Sequence, residues 1–288
     1  MKNLKSIVKI LSLSLLTVVI LTACNKQIQT AATLDIKLKY NFEQGMEYKY
    51  LNTSETDMLM SFGGQDINQG VNSLLAYTIT GAGKDGSNLS IKVKIDSLES
   101  SANSMAGQMS SNPEEVRGKE FLMTLSELGK ESDLEEAELI EYMEIGDQPS
   151  NMKAAFTIMF SDLPDAVAKI GYTWTQSDTV ELNAGGQNTQ MIIHSNNIIE
   201  AKEVVDGYSC FKISSTNTGE RSSAGNTPQG YITTSGKLTG TSVWYFAIEE
   251  GIVIKEDSFQ KFDGEIGIPT GESIPMFMDI KMINKLVK

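Results

Sequence analysis

The stretch 75–95, LAYTITGAGKDGSNLSIKVKI, has the pattern that decides the fold. Apolar side chains occupy alternate positions on both sides of a Lys-Asp-Gly turn, namely Leu75, Tyr77 and Ile79 before it and Leu89, Ile91, Val93 and Ile95 after it. A period of two residues is typical of a strand with one buried face, and a glycine-containing turn between two such runs predicts a hairpin. One-faced strands favour an antiparallel sheet whose other face meets water.

The same alternation recurs towards both ends of the chain. In 34–42, LDIKLKYNF, every second residue is apolar, and a further alternating run at 46–50 follows Gly45. This pattern predicts a second hairpin with its turn near Gly45. Near the C-terminus the apolar residues Met276, Met278, Ile280 and Met282 alternate and predict another strand.

Two segments have the pattern of helices. One apolar stripe with helical spacing is ended by Pro164 and consists of Met152, Ala155, Phe156, Met159, Phe160 and Leu163. Ser132 and Glu135 have the spacing of a capping box, which predicts that another helix begins at 132. The acidic residues of 131–147 match no calcium-loop spacing, so we interpret them as a solvent-exposed helix face rather than a cation site.

The N-terminal residues have the composition of a targeting segment. Lys2, Lys5 and Lys9 precede an uncharged run at 10–23, which is shorter than the roughly 20 residues of a membrane-spanning helix. This pattern predicts a secretory signal. The run ends in Leu21, Thr22, Ala23 and Cys24, which resembles the lipobox of bacterial lipoproteins. An ordinary secretory signal with a chance cysteine is the alternative.

The lipobox resemblance implies cleavage before Cys24, a diacylglyceryl thioether on its sulfur, and an acyl chain such as palmitate on its new amino group. Two or more acyl chains would hold the protein stably on a membrane. Residue 25 is Asn rather than Asp. By resemblance to the enterobacterial sorting rule, this implies a lipid-anchored protein of the cell envelope that is delivered to the outer membrane. Residues 25–32 contain no acidic run of the kind that marks some lipoproteins for surface export, so we expect the protein to face the periplasm.

Composition limits the possible partners. The net charge is −13, so the surface repels nucleic acid and anionic head groups, and membrane attachment depends on the lipid anchor. If Cys24 is lipidated, Cys210 has no partner for a disulfide, because the chain has 2 cysteines. Cys210 lies between aromatic residues and is predicted to be a buried strand residue.

We therefore predict a mainly β fold with a few α-helices (α+β), built as a curved antiparallel sheet or half-barrel. Segments such as GGQ occur in the same order in both parts of the chain, at 63–65 and 185–187, which indicates two related halves. The predicted organisation is a signal peptide at 1–23, a tether at 24–33, a first β-rich half at 34–131, a helical connection at 132–163 and a second β-rich half at 164–288. The pattern leaves open whether the halves form one sheet or two domains.

Signs of catalysis are lacking in the sequence. His194 is the only histidine, which leaves at most one imidazole base, and it is predicted to be a surface residue at a strand end. There is no Gly-x-Ser-x-Gly elbow, P-loop or Gly-x-Gly-x-x-Gly after a strand. We predict that the protein is not an enzyme, with no catalytic residue, no metal and no cofactor.

Methionine is abundant, with 14 in the chain. A flexible apolar cavity would use its adaptable side chain, and the candidates for lining such a cavity are Met58, Met60, Phe62, Phe156, Met159, Phe160, Met276 and Met278. Plain core packing also explains these residues and is the favoured interpretation. The Met-x-Met pairs also suit Cu(I), although alternation along a strand accounts for their spacing without a metal.

Turn and aromatic residues along the chain resemble those of an uncharacterised family of Gram-negative envelope lipoproteins, a domain of unknown function. The matching residues are Phe42, Gly45, Tyr48, Tyr50, Leu163, Pro164, Gly171, Trp174, Asp206, Gly207 and Tyr208. This resemblance implies a fold and no chemistry. A looser likeness is to the envelope lipoprotein carriers, in which a bent antiparallel sheet holds acyl chains under a helix.

Two functions are therefore expected for a membrane-anchored, non-catalytic envelope lipoprotein. The first is a protein-interaction or scaffold module that binds another envelope protein. The alternative is the binding or carriage of a lipid or other apolar ligand in a half-barrel cavity.

Overall fold

The computed structural model describes residues 36–104, 107–145, 148–184, 187–227 and 230–287. The chain divides into two units, Met1–Asp35 and Ile36–Lys288. The predicted signal peptide and the lipobox residues Leu21, Thr22, Ala23 and Cys24 lie outside the described residues, as does the tether. Across the described ranges, no helix has both the length and the apolar character needed to cross a membrane.

The described residues are mostly β, with 74% of them in strands and 5% in helices. The strands are β1 Ile36–Lys37, β2 Glu47–Phe62, β3 Gln65–Asp85, β4 Asn88–Ser104, β5 Gly107–Ser111, β6 Glu120–Ser126, β7 Glu131–Ser132, β8 Glu141–Glu144, β9 Gln148–Asn151, β10 Val167–Ala168, β11 Thr173–Ala184, β12 Gln187–Val205, β13 Tyr208–Thr227, β14 Gly230–Ala247, β15 Ile252–Gly267 and β16 Ser273–Val287. The helices are α1 Glu135–Glu138 and α2 Lys153–Phe156, and a 3-10 turn covers Glu114–Val116.

Twelve strands form one sheet in the order β11-β12-β13-β14-β15-β16-β2-β3-β4-β6-β7, with β5 paired to β4. The predicted mainly β fold and large antiparallel sheet are confirmed. Strands from both predicted halves share this sheet, because β16 pairs with β2. Whether the halves are related by duplication stays a prediction.

The sheet is not closed, and helices account for only 5% of the described residues, so the half-barrel and α+β descriptions fit the structure only loosely. Its two end regions are joined by side chains. Lys130, which immediately precedes β7, contacts Asp178 of β11 and lies 2.8 Å from Asp162 Oδ2. An ion pair therefore bridges the two ends where the described residues show no backbone ladder.

The hairpin predicted at 75–95 is present. Strands β3 and β4 pair antiparallel up to Asp85 and Asn88, on either side of the turn. Their alternate apolar residues are buried, with Ile79, Ile91 and Ile95 each 0% exposed. The C-terminal alternation likewise forms a strand, β16. Burial on one side of each strand explains why a period of two predicted these elements correctly.

The hairpin predicted around Gly45 is wrong. Leu38, Tyr40 and Phe42 are buried as their alternation suggests. Within the described residues 36–42, however, only the two residues of β1 belong to a strand. The Tyr40 N–H donates to the Glu127 carbonyl at 2.8 Å, and the Asn41 N–H donates to the Gly251 carbonyl at 2.9 Å. Because successive residues bond to different parts of the chain, this segment runs through the core rather than along one partner strand.

The predicted helix over Met152–Leu163 is wrong beyond its first turn, α2. The Phe160 N–H donates to Glu131 Oε1 at 2.8 Å, and the Leu163 N–H donates to the Leu128 carbonyl at 2.8 Å. These tertiary bonds replace the intrahelical ones, and Pro164 disfavours helical geometry at the residue before it.

The predicted capping box is also wrong. Ser132 belongs to β7 and pairs with Thr124 of β6, so its backbone is already committed to the sheet. The helix α1 begins later, with Leu134 at its N-cap and no side-chain cap. Of the acidic residues that follow, Glu135, Glu136 and Glu138 lie on this short helical turn, and Glu141 and Glu144 lie on β8, so there is no long exposed helix across the described part of 131–145.

The main core lies between the sheet and the connecting segments. Its largest fully buried side chains include Trp244, Tyr40, Tyr77, Phe121, Phe156 and Phe246. Full burial of each such side chain stabilises the fold by about 1.5–3 kcal/mol. Cys210 is a free thiol in this core, and burial raises its pKa to about 11. The prediction of a buried strand cysteine is confirmed.

Candidate ligand cavity

A cavity of about 620 Å³ lies between the inner face of the sheet and the segment that contains α2. Strands β2, β3, β4 and β13–β16 contribute one wall. Opposite the sheet, Ala154, Ala155, Ile158 and Met159 form the part that we call the roof. Tyr142 and Glu144 of β8, with Ile145 after it, also line the cavity. The roof is apolar, and Met159 is positioned by the Tyr77 hydroxyl, which donates to its sulfur at 3.2 Å.

The sheet wall carries a row of serines that runs across the strands. Directly paired positions place Ser54 opposite Ser73, and Ser73 opposite Ser100. The same row continues to β5 on one side and, through Met282, to β15, β14 and β13 on the other. We define the serine row as Ser54, Ser73, Ser100, Ser111, Ser215, Ser242 and Ser258.

Hydrogen bonds fix several hydroxyls of the serine row. The Ser54 and Ser73 Oγ atoms are 2.9 Å apart. Ser215 Oγ donates to Asn197 Oδ1 at 2.5 Å and accepts a bond from Trp244 Nε1 at 3.1 Å. The row is therefore an ordered polar layer directly above the aromatic core.

Amide and carboxyl groups extend this polar layer. Glu256 lines the cavity, and Ser161 Oγ donates to its Oε2 at 3.4 Å. Burial raises the pKa of Glu256 to about 7, so a large fraction of this carboxyl is neutral near pH 7. Asn217 also lines the cavity, and its buried Oδ1 has no hydrogen-bond partner among the described residues.

The eight side chains predicted to line an apolar cavity lie in different places. Met58, Met60, Met276 and Met278 pack around Phe262 in a second apolar cluster. Phe156 is fully buried in the main core, and Phe62 is 47% exposed. Met159 lines the cavity, and Phe160 reaches only a small adjoining void. The cavity that exists is thus mostly lined by other residues.

Two further sequence predictions concern His194 and the absence of a metal site. His194 is exposed in the middle of β12 rather than at a strand end. Its Nδ1 lies 2.7 Å from Ser177 Oγ on the neighbouring strand. In the ranges that the structure describes, no group of three or more His, Cys, Asp or Glu side chains is arranged to hold a metal ion.

The serine row was missed from the sequence. Each serine occurs singly within a polar stretch, and strand alternation alone does not show which face is inner once the apolar residues end. The visible signal was parity: Ser54 is in phase with Tyr48 and Tyr50, and Ser73 is in phase with Leu75 and Tyr77. Bringing seven serines into one row requires the register of the whole sheet.

No protein-family model matches the chain, and no curated protein matches it. Solved structures give only weak likenesses. An outer membrane channel from Pseudomonas putida F1 is 6% identical, with 86% of this chain and 98% of that chain covered and a TM-score of 0.34. The Pseudomonas aeruginosa protein OpdQ is 6% identical, with coverage of 84% and 99% and a TM-score of 0.31.

A putative exported protein with a YmcC-like fold from Bacteroides fragilis NCTC 9343 is 10% identical, with coverage of 87% and 97% and a TM-score of 0.27. Likeness at this level carries no argument about activity or ligand. The fold and the cavity themselves define the class of protein: an antiparallel β-sheet protein with a mixed polar and apolar cavity on its inner face.

Proposed function

We propose that this protein is a lipid-anchored, non-catalytic envelope lipoprotein that holds an amphipathic ligand in its cavity. The observation that carries the proposal is the cavity of about 620 Å³, which lies within the roughly 300–1,000 Å³ typical of small-molecule sites. Its serine-lined wall and apolar roof suit a molecule with one polar and one apolar side. Ligand binding, the alternative expected from the sequence, is therefore favoured over a scaffold role.

Attachment to the membrane is supported by the lipobox residues Leu21 to Cys24 and by Asn25, which favour the periplasmic face of the outer membrane. We expect the wild-type protein to fractionate with membranes. Cys24→Ala should release it or leave it unprocessed, because only a thiol forms the thioether. A mature, membrane-bound Cys24→Ala protein would contradict this part of the proposal.

The binding proposal is tested with protein lacking residues 1–24 and an environment-sensitive apolar dye. We expect Ala155→Leu to weaken dye binding at least tenfold, because the larger side chain projects from the roof into the cavity. Ala82→Leu is the matched control, since Ala82 is exposed on β3 away from the cavity lining. Equal binding by both variants, or no binding by wild type, would overturn the proposal.

Recruitment of another envelope protein stays a prediction of the sequence. Crosslinking in cells tests it, and the absence of a reproducible crosslinked species would remove it.

A further inference from the structure

We infer that the ligand is an uncharged amphiphile with several hydroxyl groups, such as a glycoside, and that the serine row binds its polar end. This inference rests on the proposed function, since it names the ligand class of the same cavity. It narrows the lipid expected from the sequence, because it disfavours fatty acids and anionic phospholipids.

The charge of the cavity argues against an anionic ligand. Its lining residues, all within the described part of the chain, include two carboxyl groups, Glu144 and Glu256, and no Lys, Arg or His. A carboxylate or phosphate entering this space would lose its hydration and meet no cation. The net charge of −13 for the whole chain adds long-range repulsion.

The hydrogen-bonding groups of the wall match a ligand that carries hydroxyls. A serine hydroxyl both donates and accepts, and an amide offers a carbonyl oxygen and an NH₂ group. Six serines of the row line the cavity together with Asn52 and Asn284, namely Ser54, Ser73, Ser100, Ser111, Ser242 and Ser258. A sugar hydroxyl also both donates and accepts, so the two sets of groups are complementary.

Asn217 provides the most specific indication. Its Oδ1 is buried in the cavity wall and has no hydrogen-bond partner among the described residues. A buried acceptor is stabilised by a donor, and the wall around it offers no cationic donor. Because this oxygen is closed to solvent, a ligand hydroxyl reaches it only when the Asn217 amide turns towards the cavity. The hydroxyl then supplies the missing hydrogen bond, whereas a carboxylate or a phosphate diester would bring only acceptors.

Glu256 leaves a cationic ligand as the main competitor. Its carboxyl borders the cavity and attracts an ammonium group when it is ionised. However, Ser161 donates to it at 3.4 Å, and the other polar groups of the sheet wall are neutral hydroxyls and amides. The other carboxyl of the lining, Glu144, is exposed and accepts a hydrogen bond from the Tyr142 hydroxyl at 3.2 Å. Two carboxyls among a larger number of neutral hydroxyl and amide groups fit a polyhydroxylated ligand better than an ammonium ion.

The apolar end of the ligand would face the roof. Ala154, Ala155, Ile158 and Met159 line that side of the cavity, and Leu75 and Leu98 lie at its edge towards the core. Because the serine row crosses the strands, a sugar ring placed along it could bond to several strands while an alkyl chain contacts the roof.

The test uses three probes with the same alkyl chain, namely octyl glucoside, octanoate and octylammonium, each below its micelle concentration at pH 7.5. Trp244 is the reporter, because its Nε1 bonds to Ser215 of the row. Trp174→Phe removes the neighbouring indole, whose ring centroid lies 6.3 Å from that of Trp244. We expect octyl glucoside to bind at least tenfold more tightly than either charged probe.

Two substitutions test whether the sheet wall of the cavity causes the preference for octyl glucoside. Asn217→Leu should weaken octyl glucoside binding at least tenfold, and Ser73→Ala should weaken it severalfold. Ser110→Ala is the control, because Ser110 is exposed next to Ser111 and does not line the cavity. Thermal unfolding of each variant shows whether it folds. If Asn217→Leu does not fold, Ser73→Ala still tests whether the wall contributes to binding.

The outcomes separate this inference from the function on which it rests. If octanoate or octylammonium binds as tightly as octyl glucoside while Ala155→Leu still abolishes dye binding, the cavity binds ligands and the inference about their class is wrong. If neither the dye nor any probe binds, the proposed function itself fails and the inference falls with it.

Discussion

Two regions on the inner face of the sheet are built from the same strands but differ in packing. Around the serine row the face borders an open cavity, whereas two rows further along β15 it is closed by the second apolar cluster. Ser258 and Phe262 lie on the same face of β15, four residues apart. Phe262 is 1% exposed, and Ser258 lines the cavity. Side-chain size, and not backbone geometry, therefore separates the open region from the closed one.

Glycines make the closed region possible. A Cβ atom on Gly264 would lie 2.5 Å from Phe262 Cζ, and one on Gly236 would lie 2.6 Å from the same atom. The ring of Phe262 thus lies directly against the backbones of β14 and β15, because Gly236 and Gly264 have no side chain to obstruct it. In the serine row the neighbouring positions carry small polar side chains instead, and no large ring fills the space above them.

The largest expected effect of a substitution is in the closed region. Phe262→Ala should lower the free energy of unfolding by about 3–5 kcal/mol, because it removes a fully buried ring and leaves a cavity. Chemical denaturation measures the change. Phe277→Ala is the control, since Phe277 on β16 is 44% exposed. Equal losses from both variants would mean that the second apolar cluster is not a packed core.

The next effect concerns the border of the open region. Burial raises the pKa of Glu256 from 4.5 to about 7, so the folded state favours the protonated carboxyl. The unfolded chain releases this proton near pH 4.5, and the folded protein retains it until about pH 7. Unfolding free energy should therefore fall as pH rises through this window, at most by about 3 kcal/mol at 1.36 kcal/mol per pKa unit.

Glu256→Gln should remove this part of the pH dependence and make the protein more stable than wild type at pH 8. Denaturation curves between pH 5 and 8 measure it. The difference between wild type and variant isolates Glu256 from Glu131, whose pKa burial also raises, to about 8. Glu115→Gln, at an exposed position, should leave the slope unchanged. A wild-type slope that survives Glu256→Gln would place the titrating group elsewhere.

The contrast between regions also shows what the sequence could predict. Alternation near Leu75 and Leu89 predicted the β3–β4 hairpin, because a strand buried on one face has an apolar residue at every second position. Alternation at Leu38 to Phe42 predicted burial correctly and pairing wrongly. The backbone there bonds to Glu127 and Gly251, and no local pattern indicates partners so far away in the chain.

The cavity was harder to predict from the sequence than the hairpins were. Methionine and phenylalanine were expected to line it, but large apolar side chains close space by packing together, as they do around Phe262. The open space lies instead beside small polar residues whose inward position depends on the register of many strands. Of the predicted residues, Met159 is the one that lines this cavity, because the chain after α2 leaves the helix and places it in the roof.

The smallest effect is expected within the serine row itself. Ser54→Ala should lower the free energy of unfolding by about 0.5–1.5 kcal/mol, because it removes one hydroxyl from the 2.9 Å contact with Ser73. Replacing both serines by alanine should cost less than the sum of the two single changes, since neither hydroxyl is then left without its partner. A double-mutant cycle in denaturant measures this coupling. Strictly additive losses would mean that the two hydroxyls act independently, and the serine row would then be a set of separate polar groups lining the cavity.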